Sequence, residues 1–232
     1  MRLPDSLHDV ANMNAEERAA WAKRRFEESS AAGEEYVPRP QRDVDGDYLH
    51  ECGFGRRYRY PNVEKVAAGY REALATYCAA LPLALRGGTG LLLLGKPGVG
   101  KTHVLALLAL AFRDIPREYE TQRPVSVSYV FAPDLFNALH HNNAERLYEW
   151  ERAQVLLLDD VCRLYSTDWN TSRFDAFAEG RYSEMKVTCA TMNSADVLQN
   201  AQLQRLADRW RETMLPVTTQ TDSQRQGGDG NE

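Results

Sequence analysis

Gly95-Lys96-Pro97-Gly98-Val99-Gly100-Lys101-Thr102, set between the apolar runs Leu91 to Leu94 and Val104 to Leu110, decides the fold of this chain. These residues fill the pattern G-x-x-x-x-G-K-[ST] in the context that gives it meaning: a buried strand runs into a glycine turn and then into a helix. The glycines let the loop curl so that consecutive backbone N–H groups point inward, as a cradle for phosphate oxygens requires. The helix N-terminus adds its partial positive charge at the same point. Lys101 is then placed to reach β- and γ-phosphates, and the Thr102 hydroxyl to take a place on Mg²⁺. The stretch implies a nucleoside triphosphate site.

The rest of the composition sets bounds on that site. A chain of 232 residues suits one domain of ordinary size plus an extension, and buries a sizeable core without staples. With 43% hydrophobic and 26% charged residues it reads as a soluble globular protein. A net charge of -5 argues against a generally basic nucleic-acid coat, so any contact with nucleic acid has to come from a local patch. Cys52, Cys78, Cys162 and Cys189 form no C-x-x-C pair, which favours reduced thiols over a zinc site or disulfide framework. Asp5, His8 and Asp9 stand where a signal peptide needs an apolar run, and no stretch approaches a membrane span. A cytoplasmic protein without membrane contact is expected.

Outward from the glycine loop, strands alternate with helices. Strands are expected at Val125 to Phe131, Gln154 to Leu158, Val187 to Met192 and Met214 to Thr218. Helices are expected at Val63 to Leu81, ending before Pro82, and at Pro133 to Asn142, Ser172 to Met185 and Ala195 to Glu212. This order predicts an α/β fold with a central parallel sheet flanked by helices. Residues 1–50 read as an N-terminal extension. Asn14-Ala-Glu-Glu17 is a capping-box pattern opening a helix to about Ser30, followed by a polar linker from Gly33 to Asp47. The helix is either a loosely docked surface element or a segment that docks on a partner protein. Residues 51–225 form the expected nucleotide-binding domain, and 226–232 a polar tail without order.

Val155-Leu-Leu-Leu-Asp159-Asp160 is an apolar strand ending in two acids. Asp159 is expected to hold the magnesium shell beside Thr102, and Asp160 to polarise the attacking water. Asp in the second place is one methylene shorter than Glu, which suggests slow, switch-like turnover. Asn193, closing the next strand after Thr191-Met192, is placed to orient water between the γ-phosphate and Asp160. On the last helix Val197, Leu203, Leu206 and Trp210 recur near helical period and should face the core. Arg205 and Arg209 share a neighbouring face, either as a solvated basic face or with one reaching an adjacent subunit's nucleotide. Arg56-Arg-Tyr-Arg-Tyr60 interleaves basic and aromatic residues. That pattern suits base stacking on single-stranded DNA, and equally a loop packing its tyrosines on the domain.

Taken together, Gly-Lys-Pro-Gly-Val-Gly-Lys-Thr-His103, Leu-Leu-Leu-Asp-Asp, Arg181-Tyr182 before a strand ending in Thr-x-Asn, and Asp208-Arg209-Trp-Arg211 resemble the bacterial helicase-loader branch of AAA+ ATPases (DnaC/IstB-like). The similarity runs from about Cys52 to Arg225. It implies that the P-loop, Gly95 through Lys101, Thr102 and His103, binds ATP, with Mg²⁺ at Thr102 and Asp159. It also implies hydrolysis through Asp160, sensing by Asn193, and Arg209 as a finger in a site shared between self-associating subunits. A full helical lid domain is absent from that branch, and a Ser-x-Arg element, here Asp222-Ser-Gln-Arg225, stands in its place. The adenine site of such proteins lies just ahead of the first helix, here near Arg56 to Tyr60. The implied partners are the replicative DNA helicase, or a transposase in transposition-helper members, together with single-stranded DNA. The expected role is therefore an ATP-hydrolysing helicase loader in DNA replication. The alternatives are a transposition helper of the same fold, a nucleotide-gated adaptor and a P-loop kinase.

Overall fold

The computed structural model describes residues 42–115, 124–161, 168–194 and 204–219. Five strands, β1 (Gly90–Leu94), β2 (Val127–Phe131), β3 (Val155–Asp159), β4 (Val187–Met192) and β5 (Met214–Thr218), form one sheet in the order β2-β3-β4-β1-β5. Every pairing is parallel. Eight helices are described: α1 (Arg42–Glu51), α2 (Ala68–Cys78), α3 (Leu81–Gly87), α4 (Lys101–Arg113), α5 (Ala132–His140), α6 (Ala144–Arg152), α7 (Asp168–Ser183) and α8 (Gln204–Thr213). The expected α/β architecture, a central parallel sheet flanked by helices, is the one observed.

Strand alternation divides the core. Leu91, Leu93, Val155, Leu157, Val187 and Cys189 turn to one face, where they pack with Leu49, Tyr70, Leu74, Tyr77 and the buried side of α4. Leu92, Leu156, Leu158, Ala190 and Met192 turn to the other, packing with Leu135, Phe136, Trp150, Phe174, Leu206 and Trp210. β1, β3 and β4 are buried on both faces, which is why their sequences are almost continuously apolar instead of alternating. Aromatic contacts tie the second face together: Phe174 meets Phe136 at 5.1 Å and Trp210 edge-on at 6.3 Å. Leu206 and Trp210 face the core as their spacing predicts, whereas Val197 and Leu203 lie outside the described residues.

Three differences from the sequence reading have physical causes. The expected helix from Val63 is a short 3-10 turn, Val63–Lys65, capped by the Asn62 side chain, and α2 begins only at Ala68. Pro82 starts a helix instead of preventing one: it lies in the first turn of α3, where its missing N–H has no intrahelical partner to lose. Residues 42–47, read as linker, are helical. α1 is polar and has little helix-forming pattern of its own, and its docking holds it. Leu49 is fully buried, Asp45 pairs with Arg113 at 2.7 Å, and the Arg113 guanidinium lies 5.2 Å from the Tyr48 ring centre. The expected helix from Asn14 to Ser30, the Asp222–Arg225 element and the tail fall outside the described residues.

Candidate functional site

The strand order builds the site. β4 lies between β1 and β3, so the loop after β1, the end of β4 and the end of β3 sit side by side. Alternation puts Asp159 on the face of Val155 and Leu157, and Thr191 on that of Val187 and Cys189. This is the face covered by α4, so the groups at these strand tips meet the start of that helix.

The glycine loop is shaped as the motif requires. Gly98 and Gly100 adopt φ of 87° and 94°. Gly100 is the N-cap of α4, and a Cβ there would collide with the Lys65 carbonyl, so glycine is needed for both conformation and space. No acidic residue occupies the first turn of α4, whose N–H groups open toward the loop. The loop is held from outside: Tyr70 Oη donates to the Leu94 carbonyl at 2.7 Å, and Ala67 N–H donates to the Val99 carbonyl at 3.1 Å.

Four of the expected residues converge. Lys101, nearly buried, donates through Nζ to the Gly95 carbonyl at 2.6 Å, the Lys96 carbonyl at 3.1 Å and Asn193 Oδ1 at 2.8 Å. Thr102 Oγ1 donates to Asp159 Oδ2 at 2.8 Å. Asp160 follows directly and leaves the strand with φ 59°, a left-handed conformation uncommon for a residue with a side chain. Thr191 holds that corner. Its hydroxyl donates to Asp159 Oδ1 at 2.5 Å and accepts from the Asp160 N–H at 2.8 Å, while its carbonyl accepts from Val161 N–H at 2.9 Å.

His103 sits in the first turn of α4, where Nδ1 accepts from Asn62 N–H at 3.4 Å and the ring meets Tyr58 edge-on at 5.4 Å. Burial, and then the charges of Lys65 and Arg57, hold its imidazole below the ordinary value, so it is mainly neutral at pH 7. Arg56–Tyr58 is thus a 3-10 turn beside the P-loop helix, and Tyr60 remains exposed.

Arg209 is not in this cluster. It projects from α8 toward α7, paired there with Asp175 at 2.7 Å and with Glu179, and 5.9 Å from the Tyr182 ring centre. It lines a cavity of about 370 Å³ together with Gly88, Thr188, Lys186 and Met214. Gly88, Lys186, Thr188 and Met214 sit at the starts of their strands, the end of the sheet away from the glycine loop. Arg205 is exposed.

Two contributors were not assigned from sequence. In the sequence Thr191 is only part of a strand end. Tyr129 Oη donates to Asp159 Oδ2 at 2.9 Å, and burial, with the carboxylate beside it, raises its phenol well above the usual range. The sequence signal was only a hydroxyl-bearing ring in a short strand, Val127-Ser-Tyr-Val-Phe131; the register that pairs Phe131 with Asp159 comes from the sheet.

The donor set suits a phosphate chain with a hard cation. A buried ammonium faces loop carbonyls, unobstructed helix N–H groups adjoin it, and the hydroxyl and carboxylate of Thr102 and Asp159 are oxygen donors of the kind Mg²⁺ takes. No helix among the described residues is long and apolar enough to cross a membrane.

No protein-family model and no curated protein matches the chain. Solved structures do. The crystal structure of the DnaC helicase loader is similar with a TM-score of 0.54 and 23% identity, covering 72% of this chain and 100% of that one. The crystal structure of DnaI gives 0.55 and 22%, covering 72% and 94%. The replication initiator DnaA bound to AMPPCP and single-stranded DNA gives 0.52 and 20%, covering 70% and 52%. At these identities the likeness is one of fold. The central parallel sheet and its flanking helices are those of the DnaC and DnaI structures, and the chain shares their fold.

Proposed function

We propose that this chain is an AAA+ ATPase of DNA replication that loads a replicative helicase. The observation that carries the reading is the meeting of Lys101, Thr102, Asp159 and Asn193 at the tips of three adjacent strands. ATP binds on the Gly95–Thr102 loop, with His103 and the Arg56–Tyr60 turn beside it toward the base. Lys101 exchanges its carbonyl partners for phosphate oxygens. Thr102 and, beyond it, Asp159 would hold Mg²⁺, which neutralises charge on the β- and γ-phosphates. Asp160, turned out of the strand, orients and deprotonates water, and Asn193 positions that water from the next strand. Arg209 completes the site of a neighbouring subunit once assembly draws it away from Asp175 and Glu179. The assembly grips single-stranded DNA and engages the helicase through the N-terminal extension. Turnover is slow, with ATP ordering the assembly and hydrolysis releasing it. The Asp208-Arg209-Trp-Arg211 segment supports loading, and the fold likeness to the DnaC helicase loader is consistent with it.

The test has two parts. Fluorescent ATP should bind the full chain and be lost in Lys101→Ala, while Asp160→Asn should bind and fail to hydrolyse. The wild type, with ATP, should then transfer the replicative helicase of the same genome onto closed circular single-stranded DNA. Equal ATP binding by Lys101→Ala refutes the site; normal hydrolysis without any transfer refutes the loading role.

A further inference from the structure

The Asp159 carboxylate receives three hydroxyl donors: Thr102 at 2.8 Å and Tyr129 at 2.9 Å on Oδ2, and Thr191 at 2.5 Å on Oδ1. Thr102 and Thr191 belong to α4 and β4, the elements of the triphosphate site itself. Tyr129 comes from β2, at the sheet edge, and is held from outside the sheet. Its ring stacks on Phe54 at 4.0 Å with an angle of 26° between the planes. Its N–H donates to the Cys52 carbonyl at 2.7 Å. Between those two residues Gly53 has φ 104°, and a Cβ there would come within 2.7 Å of the Tyr129 carbonyl. The turn from Cys52 to Phe54 is therefore shaped to lie flush on this tyrosine, and it follows directly on α1.

The terminal torsion of an aspartate is broad, so a carboxylate with one donor pivots. Donors on both oxygens, two of them converging on Oδ2, remove that freedom. Residues that orient a metal-side ligand without touching the metal commonly set metal affinity. We propose that Tyr129 is a positioning residue for the metal-side carboxylate: it fixes Asp159 for the Mg²⁺–nucleotide complex and makes that affinity depend on the Cys52–Phe54 turn. The proposal rests on the reading of this site as a Mg²⁺–ATP site. A tyrosine that only filled space would be replaced by phenylalanine without consequence for Mg²⁺.

The experiment titrates Mg²⁺ against the full chain at fixed fluorescent ATP, with a parallel arm in EDTA and a thermal melt of the ligand-free protein. Tyr129→Phe should raise the half-saturating Mg²⁺ concentration about ten-fold while leaving nucleotide binding in EDTA unchanged. Phe54→Leu, which keeps the hydroxyl and removes the stacked ring, should raise it about three-fold. An unchanged Mg²⁺ midpoint in Tyr129→Phe overturns the positioning role, as does an equal loss of binding with and without Mg²⁺. An unchanged midpoint in Phe54→Leu overturns the dependence on the turn. A wild-type chain that binds ATP with no Mg²⁺ dependence overturns the parent reading of the site, and this proposal with it.

Discussion

Thr191→Val keeps the shape of a fully buried strand side chain and deletes one hydroxyl. That hydroxyl donates to Asp159 at 2.5 Å and accepts from the Asp160 N–H at 2.8 Å. A hydrogen bond to a charged group contributes about 1.5–3 kcal/mol, and a buried N–H left without a partner costs about 1–3 kcal/mol. The two losses share one corner of the chain and overlap. Against them, Asp160 sits at φ 59°, and letting it relax returns about 1 kcal/mol of backbone strain. The net destabilisation should be about 2–4 kcal/mol. At roughly 2–4 °C per kcal/mol for a domain of this size, the melting temperature should fall by roughly 4–16 °C. Urea unfolding checks the free energy, and the slope of the transition shows whether the two end states are unchanged. Thr191→Ser, which keeps the hydroxyl, should retain most of the stability. A loss below about 1 kcal/mol for Thr191→Val at an unchanged slope would refute the assignment of this corner to the threonine hydroxyl.

Arg181 is buried and donates to the carbonyls of Trp150, Glu151, Ala153 and Val187 and to Thr188 Oγ1, closing the end of α6 onto β4. Burial pushes its guanidinium down to about 9, still charged at neutral pH. Arg181→Met strands several carbonyls but also removes a desolvated charge, so the loss should be about 2–3 kcal/mol by urea unfolding; an increase in stability would refute this accounting. His103 is held below its ordinary value of 6.5, so the unfolded chain takes up a proton first as the pH falls. Its contribution is present above about pH 6.5 and is lost toward the lower folded value. The wild-type melting temperature should therefore fall more between about pH 7 and pH 5.5 than that of His103→Gln. Equal slopes for the two proteins would show that His103 is not the group responsible.

Legibility followed the range of the interactions. β4 and β5 appear with the bounds their sequences predict, because each is a short β-branched or apolar run closed by a different local pattern. The start of α4 was legible for the same reason: its loop, glycines and helix are consecutive. α1 was not, since its stability comes from Arg113 and the core and not from its own residues. Pro82 misled because proline breaks a helix interior and suits a helix start, and the difference is one of context.

By itself, the sequence determined a P-loop between a buried strand and a helix, an acidic strand tip, an amide at another, and a parallel α/β core. These are properties of neighbours along the chain, and local sterics and hydrophobic period are enough to specify them. Only the tertiary structure decided that β4 stands between β1 and β3. That order brings Lys101 to Asn193 across 92 positions and Tyr129 to Asp159 across 30. It likewise decided that Arg209 pairs with Asp175 and Glu179 of the neighbouring helix. Strand order is set by the packing of whole faces against one another, and no local run of residues carries that information.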